Sequence, residues 1–232
     1  MRTILSVYKK LLLCFILNLS YQVIQARLSE DQLWKAAKLE SQGEYIKAIW
    51  IYDEELKKFP DSHQLYYKRG TAKLESGQFA EAINDYDKAI ELFPDYGEAF
   101  NKRALAKWDL NKFSEALIDN NKAVELLPEN PKVYYNRGLT RCRLSDEKGG
   151  LEDFDYAIKL DPDYAFAYVS RGYIKLKMNN LTEAEADINK SISLDPYNPI
   201  AYSIKSFILS KKGETKMATK FLKKALKLGY KK

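Results

Sequence analysis

Apolar residues of matched size recur along this chain in fixed columns. In units of 34 residues that begin at Ser29, His63, Gly97, Pro131, Ala165 and Pro199, position 8 is always small: Ala36, Gly70, Ala104, Gly138, Gly172 and Ser206. Position 20 is small as well (Ala48, Ala82, Ala116, Gly150, Ala184, Ala218). Position 27 is Ala89, Ala123, Ala157, Ser191 or Ala225, with Glu55 the exception. Large residues hold other columns: Tyr66, Phe100, Tyr134, Tyr168 and Tyr202 at position 4, Tyr45, Phe79 and Phe113 at position 17, and Tyr52, Tyr86 and Phe154 at position 24. Small side chains at fixed places let two helices approach closely, and aromatic ones fill the gaps left between them.

Helix-ending residues complete the unit. Gly43, Gly77, Asn111, Ser145, Asn179 and Gly213 share position 15. Glycine and asparagine tolerate the left-handed backbone that ends a helix, so this column predicts a tight turn. Pro60, Pro94, Pro128, Pro162 and Pro196 share position 32, where proline stops a second helix. Each unit therefore reads as helix A, turn, helix B, stop, and a fixed period of this size is the signature of a repeat array.

These columns resemble the tetratricopeptide repeat family, whose pattern is large at 4, small at 8, aromatic at 17 and 24, alanine at 20 and 27, and proline at 32. One unit matches it with Tyr66, Gly70, Phe79, Ala82, Tyr86, Ala89 and Pro94. The resemblance covers residues 29–232 as six units, 29–62, 63–96, 97–130, 131–164, 165–198 and 199–232. It implies an all-α fold: a right-handed α-solenoid of six tandem helix-turn-helix units, with helix A of each lining a concave groove. Pentatricopeptide RNA binders have a longer period and lack this alanine–proline pattern, so nucleic acid is an unfavoured partner.

A charged column runs through the apolar ones. Position 7 is Arg69, Arg103, Arg137 and Arg171 in four units, and the same four carry Asp85, Asp119, Asp153 and Asp187 sixteen residues later. The first unit has Lys35 and Ile51 at these places and the last has Lys205 and Phe221. Residue types that appear and vanish together predict structural ion pairs between packed helices, within a unit or between neighbours. A bidentate Arg–Asp pair suits partial burial better than lysine does. The other reading is a row of anion sites in the groove.

By resemblance to the family, positions 2, 5, 9 and 12 of helix A face the groove. Tyr67, Thr71, Asn101, Leu105, Trp108, Tyr135, Leu139, Phe166, Tyr173 and Phe207 are the groove residues this selects, a mostly aromatic and aliphatic lining. Such a surface marks a protein- or peptide-binding site, with aromatic anchors carrying much of the energy. Some family members hold acidic peptide tails in a two-carboxylate clamp. Fragments such as Lys132 and Asn136 occur here, but no three consecutive units assemble the set, which disfavours that ligand. In the fourth unit, Gly149 and Gly150 weaken the start of helix B by roughly 1 kcal/mol each, which predicts a bend or a soft place.

Charge changes the picture at the two ends. The net charge of +6 is unevenly spread: Arg2, Lys9 and Lys10 supply three charges, and residues 203–232 hold ten lysines against Glu214 alone. Residues 2–10 are basic, Leu11–Leu19 is a short apolar run, and a more polar stretch ends at Ala26, the order of a secretory signal cleaved after Ala26. The alternative is an uncleaved membrane anchor. Ser29 and Gln32 then form a capping box at the first helix. The lysine-rich end is either a solubilising cap of the array or a dock for anionic lipid, nucleic acid or an acidic partner, and it leaves homodimerisation open.

Catalytic chemistry is missing from the sequence. His63 is the single histidine, Cys14 and Cys142 are the two cysteines, and no metal-ligand cluster, nucleophile–base arrangement or phosphate loop stands out. With no cofactor motif, the sequence points to a non-enzymatic interaction scaffold, periplasmic or secreted. The alternative is a membrane-associated adaptor that uses its basic C-terminal helix.

Overall fold

The computed structural model describes residues 30–231. The targeting segment 1–26, the Ser29 cap and Lys232 lie outside them. The described chain divides into two compact bodies, up to Pro94 and from Asp95 onward, and among the described residues it is all-α.

In the first body, α1 (30–41) turns into α2 (Tyr45–Lys58), followed by α3 (His63–Glu75) and α4 (Phe79–Leu92). The second body holds four further pairs: α5 (Gly97–Asp109) with α6 (Phe113–Leu126), α7 (Pro131–Arg143) with α8 (Glu147–Leu160), α9 (Ala165–Lys177) with α10 (Leu181–Leu194), and α11 (Pro199–Lys211) with α12 (Thr215–Lys227). Each body is a stretch of tandem solenoid. Odd-numbered helices are the A helices, even-numbered the B helices. Each pair packs antiparallel, and each B helix also meets the following A helix within its body.

Turn chemistry follows the columns. Every position 15 residue lies in the left-handed region: Gly43, Gly77 and Gly213 at φ 75°, 82° and 83°, and Asn111, Ser145 and Asn179 at φ 59°, 68° and 63°. Ser145 is neither glycine nor asparagine and holds this conformation at some cost. The residues before the stop prolines, such as Phe93 (φ −139°, ψ 90°), leave the helical region, as a following proline requires. Ser62, Asn130 and Asn198 cap α3, α7 and α11, with Pro131 and Pro199 at the first helical position of the last two.

Small columns are the axis of each pair. Ala48, Ala82, Ala116, Ala123, Ala157, Ala184 and Ala225 are fully buried. At Gly138 a side chain would run into the Phe154 ring 2.7 Å away. In the fourth unit α8 runs unbroken from Glu147 to Leu160, through both glycines. The glycines there have other work. Asp146 caps the helix by accepting from the Gly149 N–H (2.9 Å). A methyl group on Gly150 would overlap Cys142 Sγ.

Candidate functional site

Four A helices of the second body, α5, α7, α9 and α11, build a cleft of about 540 Å³. Their periodicity decides what lines it. Tyr135, Phe166, Val169, Tyr173, Ile200 and Ser203 sit at positions 5, 2, 5, 9, 2 and 5 of successive units. Trp108 and Leu139 add the α5 and α7 side, Phe154 reaches in from α8, and Tyr230 closes the far end. Phe166, Tyr173 and Ile200 are about half exposed, at 55%, 49% and 53%. Large apolar side chains left this open on a well-packed body form a ready contact surface.

The aromatic groups support one another. Tyr135 lies edge-on to Tyr164 at 5.2 Å and tilted against Phe154 at 5.9 Å, and Tyr164 meets Phe166 edge-on at 6.3 Å. Trp108 packs edge-on against Phe113 at 4.9 Å. These contacts hold the rings before any ligand arrives, which lowers the entropy lost on binding. Burial raises the Tyr135 phenol above its ordinary pKa, against the smaller opposing effect of a hydrogen bond with Ser170. Burial, followed by the nearby Glu147 carboxylate, pushes the Cys142 thiol up to about 11, so at neutral pH it is an uncharged wall of the cleft.

Five of the ten residues selected from sequence line this cleft: Trp108, Tyr135, Leu139, Phe166 and Tyr173. Leu105 lines a small pocket of about 50 Å³ that shares Trp108 and Leu139 with it. Asn120 borders that pocket too. Its amide donates to Thr140 Oγ1 at 2.8 Å, while its buried Oδ1 has no hydrogen-bond donor among the described residues. Asn101 accepts from Asn136 Nδ2 at 2.8 Å and so ties α5 to α7. Phe207 is exposed outside the lining, with Lys211 over its ring. Tyr67 and Thr71 belong to the first body, where the Thr71 hydroxyl donates to the Tyr67 carbonyl and accepts from Tyr86. Cys142, Val169, Ile200 and Ser203 were not selected, although the same positional rule reaches all four. Tyr230 carried no such signal, because it stands where the other units have proline.

The four arginines lie outside the cleft. Each grips the aspartate of its own unit with two nitrogens: Arg69 holds Asp85 (3.0 and 2.5 Å), Arg103 holds Asp119 (2.9 and 2.6 Å), Arg137 holds Asp153 (3.0 and 2.7 Å) and Arg171 holds Asp187 (2.9 and 2.5 Å). The third nitrogen of Arg69 reaches Asp53 of the preceding unit, that of Arg171 reaches Asp155, and that of Arg137 reaches Asn121. Each guanidinium also covers the ring at position 4 of its unit, at 5.2–5.6 Å from Tyr66, Phe100, Tyr134 or Tyr168. A second cation, at position 11, completes every aspartate: Lys73, Lys107, Arg141 and Lys175 at 2.7–3.0 Å. Burial opposes the Arg171 charge, but hydrogen bonds with Asp187 and Asp155 outweigh it and hold the pKa above its ordinary value.

Comparison with known proteins agrees with this architecture. Family models described as tetratricopeptide repeat match residues 67–131 and 167–198. No curated protein matches by sequence. Among solved structures, MamA is 26% identical with a TM-score of 0.62, over 72% of this chain and 91% of that one. A repeat protein from Parabacteroides merdae is 21% identical with a TM-score of 0.72, over 88% and 80%. YrrB, described as having an unusual peptide-binding site, is 20% identical with a TM-score of 0.61, over 77% and 92%.

Proposed function

We infer, from the premise that the chain belongs to the tetratricopeptide repeat family, that it is a non-enzymatic scaffold holding an extended protein segment in the cleft of its second body. The observation that carries this reading is the preformed row of half-exposed Phe166, Tyr173 and Ile200 above the supported rings of Tyr135 and Trp108. Apolar side chains of the partner would be buried there, while Ser203 in the lining offers a hydrogen bond that helps set register. The peptide-binding description of YrrB, a relative in fold alone, is consistent with this use.

A Trp108→Ala, Tyr135→Ala, Tyr173→Ala variant tests it. Chain 27–232 and the variant, matched for melting behaviour, are used as baits against extracts of the source cell. Partners retained by the parent and lost by the variant support the cleft; identical sets sink it.

The chain is also proposed to work outside the cytoplasm, with residues 1–26 removed. The support is the order of basic, apolar and polar stretches in that segment. An intact mass beginning at Arg27 in the native protein is expected, and a mass retaining the segment would favour the anchor.

A second reading has its own observation. On α12, Lys216, Lys220, Lys223, Lys224 and Lys227 are exposed beside the exposed Met217 and Leu226. A basic helix with an apolar edge suits an anionic membrane surface. Flotation with vesicles containing phosphatidylserine, lost at high salt and in a variant with these lysines changed to glutamine, would support that adaptor role.

A further inference from the structure

Among the described residues, the lining of the cleft holds two cations, Arg143 and Lys177, and no carboxylate. Both stand at position 13, so the period places them at equivalent points of α7 and α9. Lys177 is already paired with Glu147. Arg143 is solvent-exposed, makes no ion pair among the described residues, and lies over the Phe113 ring at 5.0 Å. We propose that the cleft selects an extended peptide that seats an apolar side chain on the Tyr135–Leu139–Ile174 floor and brings a carboxylate to Arg143, with Lys177 as the second cation.

This rests on the peptide-binding reading and adds the charge of the ligand. A guanidinium resting on an aromatic face loses little further freedom when it pairs, and its planar edge suits the two oxygens of a carboxylate. The apolar wall behind it excludes water from one side, which strengthens the pair relative to an exposed one. Neither cation stands at a position of the two-carboxylate clamp. Single-stranded nucleic acid is the weaker candidate. Its phosphates would need a track of cations, and the lining offers Arg143 and the Glu147-paired Lys177.

The probe is a library of short random peptides, made once with free C-termini and once amidated, applied to the immobilised full chain and read by mass spectrometry. Bound peptides should be enriched in Phe, Leu, Ile or Tyr. Those with Asp or Glu should exceed the input by about fivefold, the upper end for one exposed ion pair. If the free C-terminus supplies the group instead, the enrichment appears only in the non-amidated library. An Arg143→Gln, Lys177→Gln variant with a native melting curve should lose the carboxylate preference and keep the apolar one. Apolar enrichment without any carboxylate preference, or a preference for basic peptides, overturns the inference and leaves the peptide-binding reading standing. No enrichment over the Trp108, Tyr135, Tyr173 variant overturns both. Oligothymidine that displaces the peptides, and whose binding vanishes in the glutamine variant, would assign the cations to phosphate and also refute the inference.

Discussion

Arg137 grips Asp153 with two nitrogens, at 3.0 and 2.7 Å, across the α7–α8 pair. The carboxylate is 3% exposed and also accepts from Arg141 at 3.0 Å. One aspartate thus pairs with two cations, and Arg137 belongs to the framework behind the cleft.

Unequal losses follow from that arrangement. Asp153→Ala leaves Arg137 and Arg141 facing each other with their shared counter-charge gone. It should cost about 3–5 kcal/mol, the range for a broken buried pair. Arg137→Ala should cost less, since Arg141 still satisfies Asp153, and Arg137→Lys should fall between wild type and alanine because lysine cannot bind both oxygens. Urea denaturation of the three variants checks the order; equal midpoints for all of them would contradict it.

Gly150 and Cys142 share one space. Gly150→Ala should destabilise by about 1–3 kcal/mol, as overpacking in a tight interior does, because its methyl group meets Cys142 Sγ and the Gly138 carbonyl oxygen 3.0 Å away. Cys142→Ala in the same chain should recover part of the loss, and a double-mutant cycle would report the coupling. Additive effects would mean that the contact does not limit the packing.

Acid should loosen the last units through Glu185. Its carboxylate accepts from Lys205 and Lys212, and these bonds hold its pKa below the usual carboxylate value. A depressed folded-state pKa adds stability that is complete above the unfolded value and is lost as pH falls through the folded one. Glu185→Gln should therefore be less stable than the parent near neutrality and lose less on acidification below about pH 4. Urea midpoints at both pH values measure it.

Thiol chemistry gives a readout of the cleft wall. With its pKa pushed up to about 11 by burial and then by Glu147, Cys142 should react with iodoacetamide slowly at neutral pH and faster as pH rises. Glu147→Gln should lower that pKa and speed the reaction, as peptide mass spectrometry can follow. A neutral-pH rate equal to that of the unfolded chain would contradict the packing described.

Much of this was legible before any coordinates. The columns of small residues and the glycine, asparagine and serine turns named the helices, since a 34-residue pattern of small, large and helix-stopping residues admits few arrangements. The groove was half legible. Trp108, Tyr135 and Tyr173 follow from helix-face periodicity, yet Asn101, bonded to Asn136, and Tyr67, whose ring lies against Tyr86 in the first body, satisfy the same rule. Periodicity gives the face of a helix and leaves open what stands opposite. Lys205 shows the same limit. Its unit carries Phe221 where aspartate would be, and the buried ammonium turns to Glu185 and Asn189 of the preceding unit.

By itself, then, the sequence determined the local and repeating part: which residues form each helix, where each turn must go left-handed, and which columns are too small to hold helices apart. Those properties depend on the backbone and on near neighbours, which recur identically in every unit. Tertiary structure alone decided that Arg137 takes the aspartate of its own unit and that Arg141 joins it there, the gathering of Arg143, Lys177 and Tyr230 around one cleft, and the absence of a carboxylate among the described residues that line it. These are properties of distance between residues far apart in the chain, set by how successive helix pairs stack, and no single column records them.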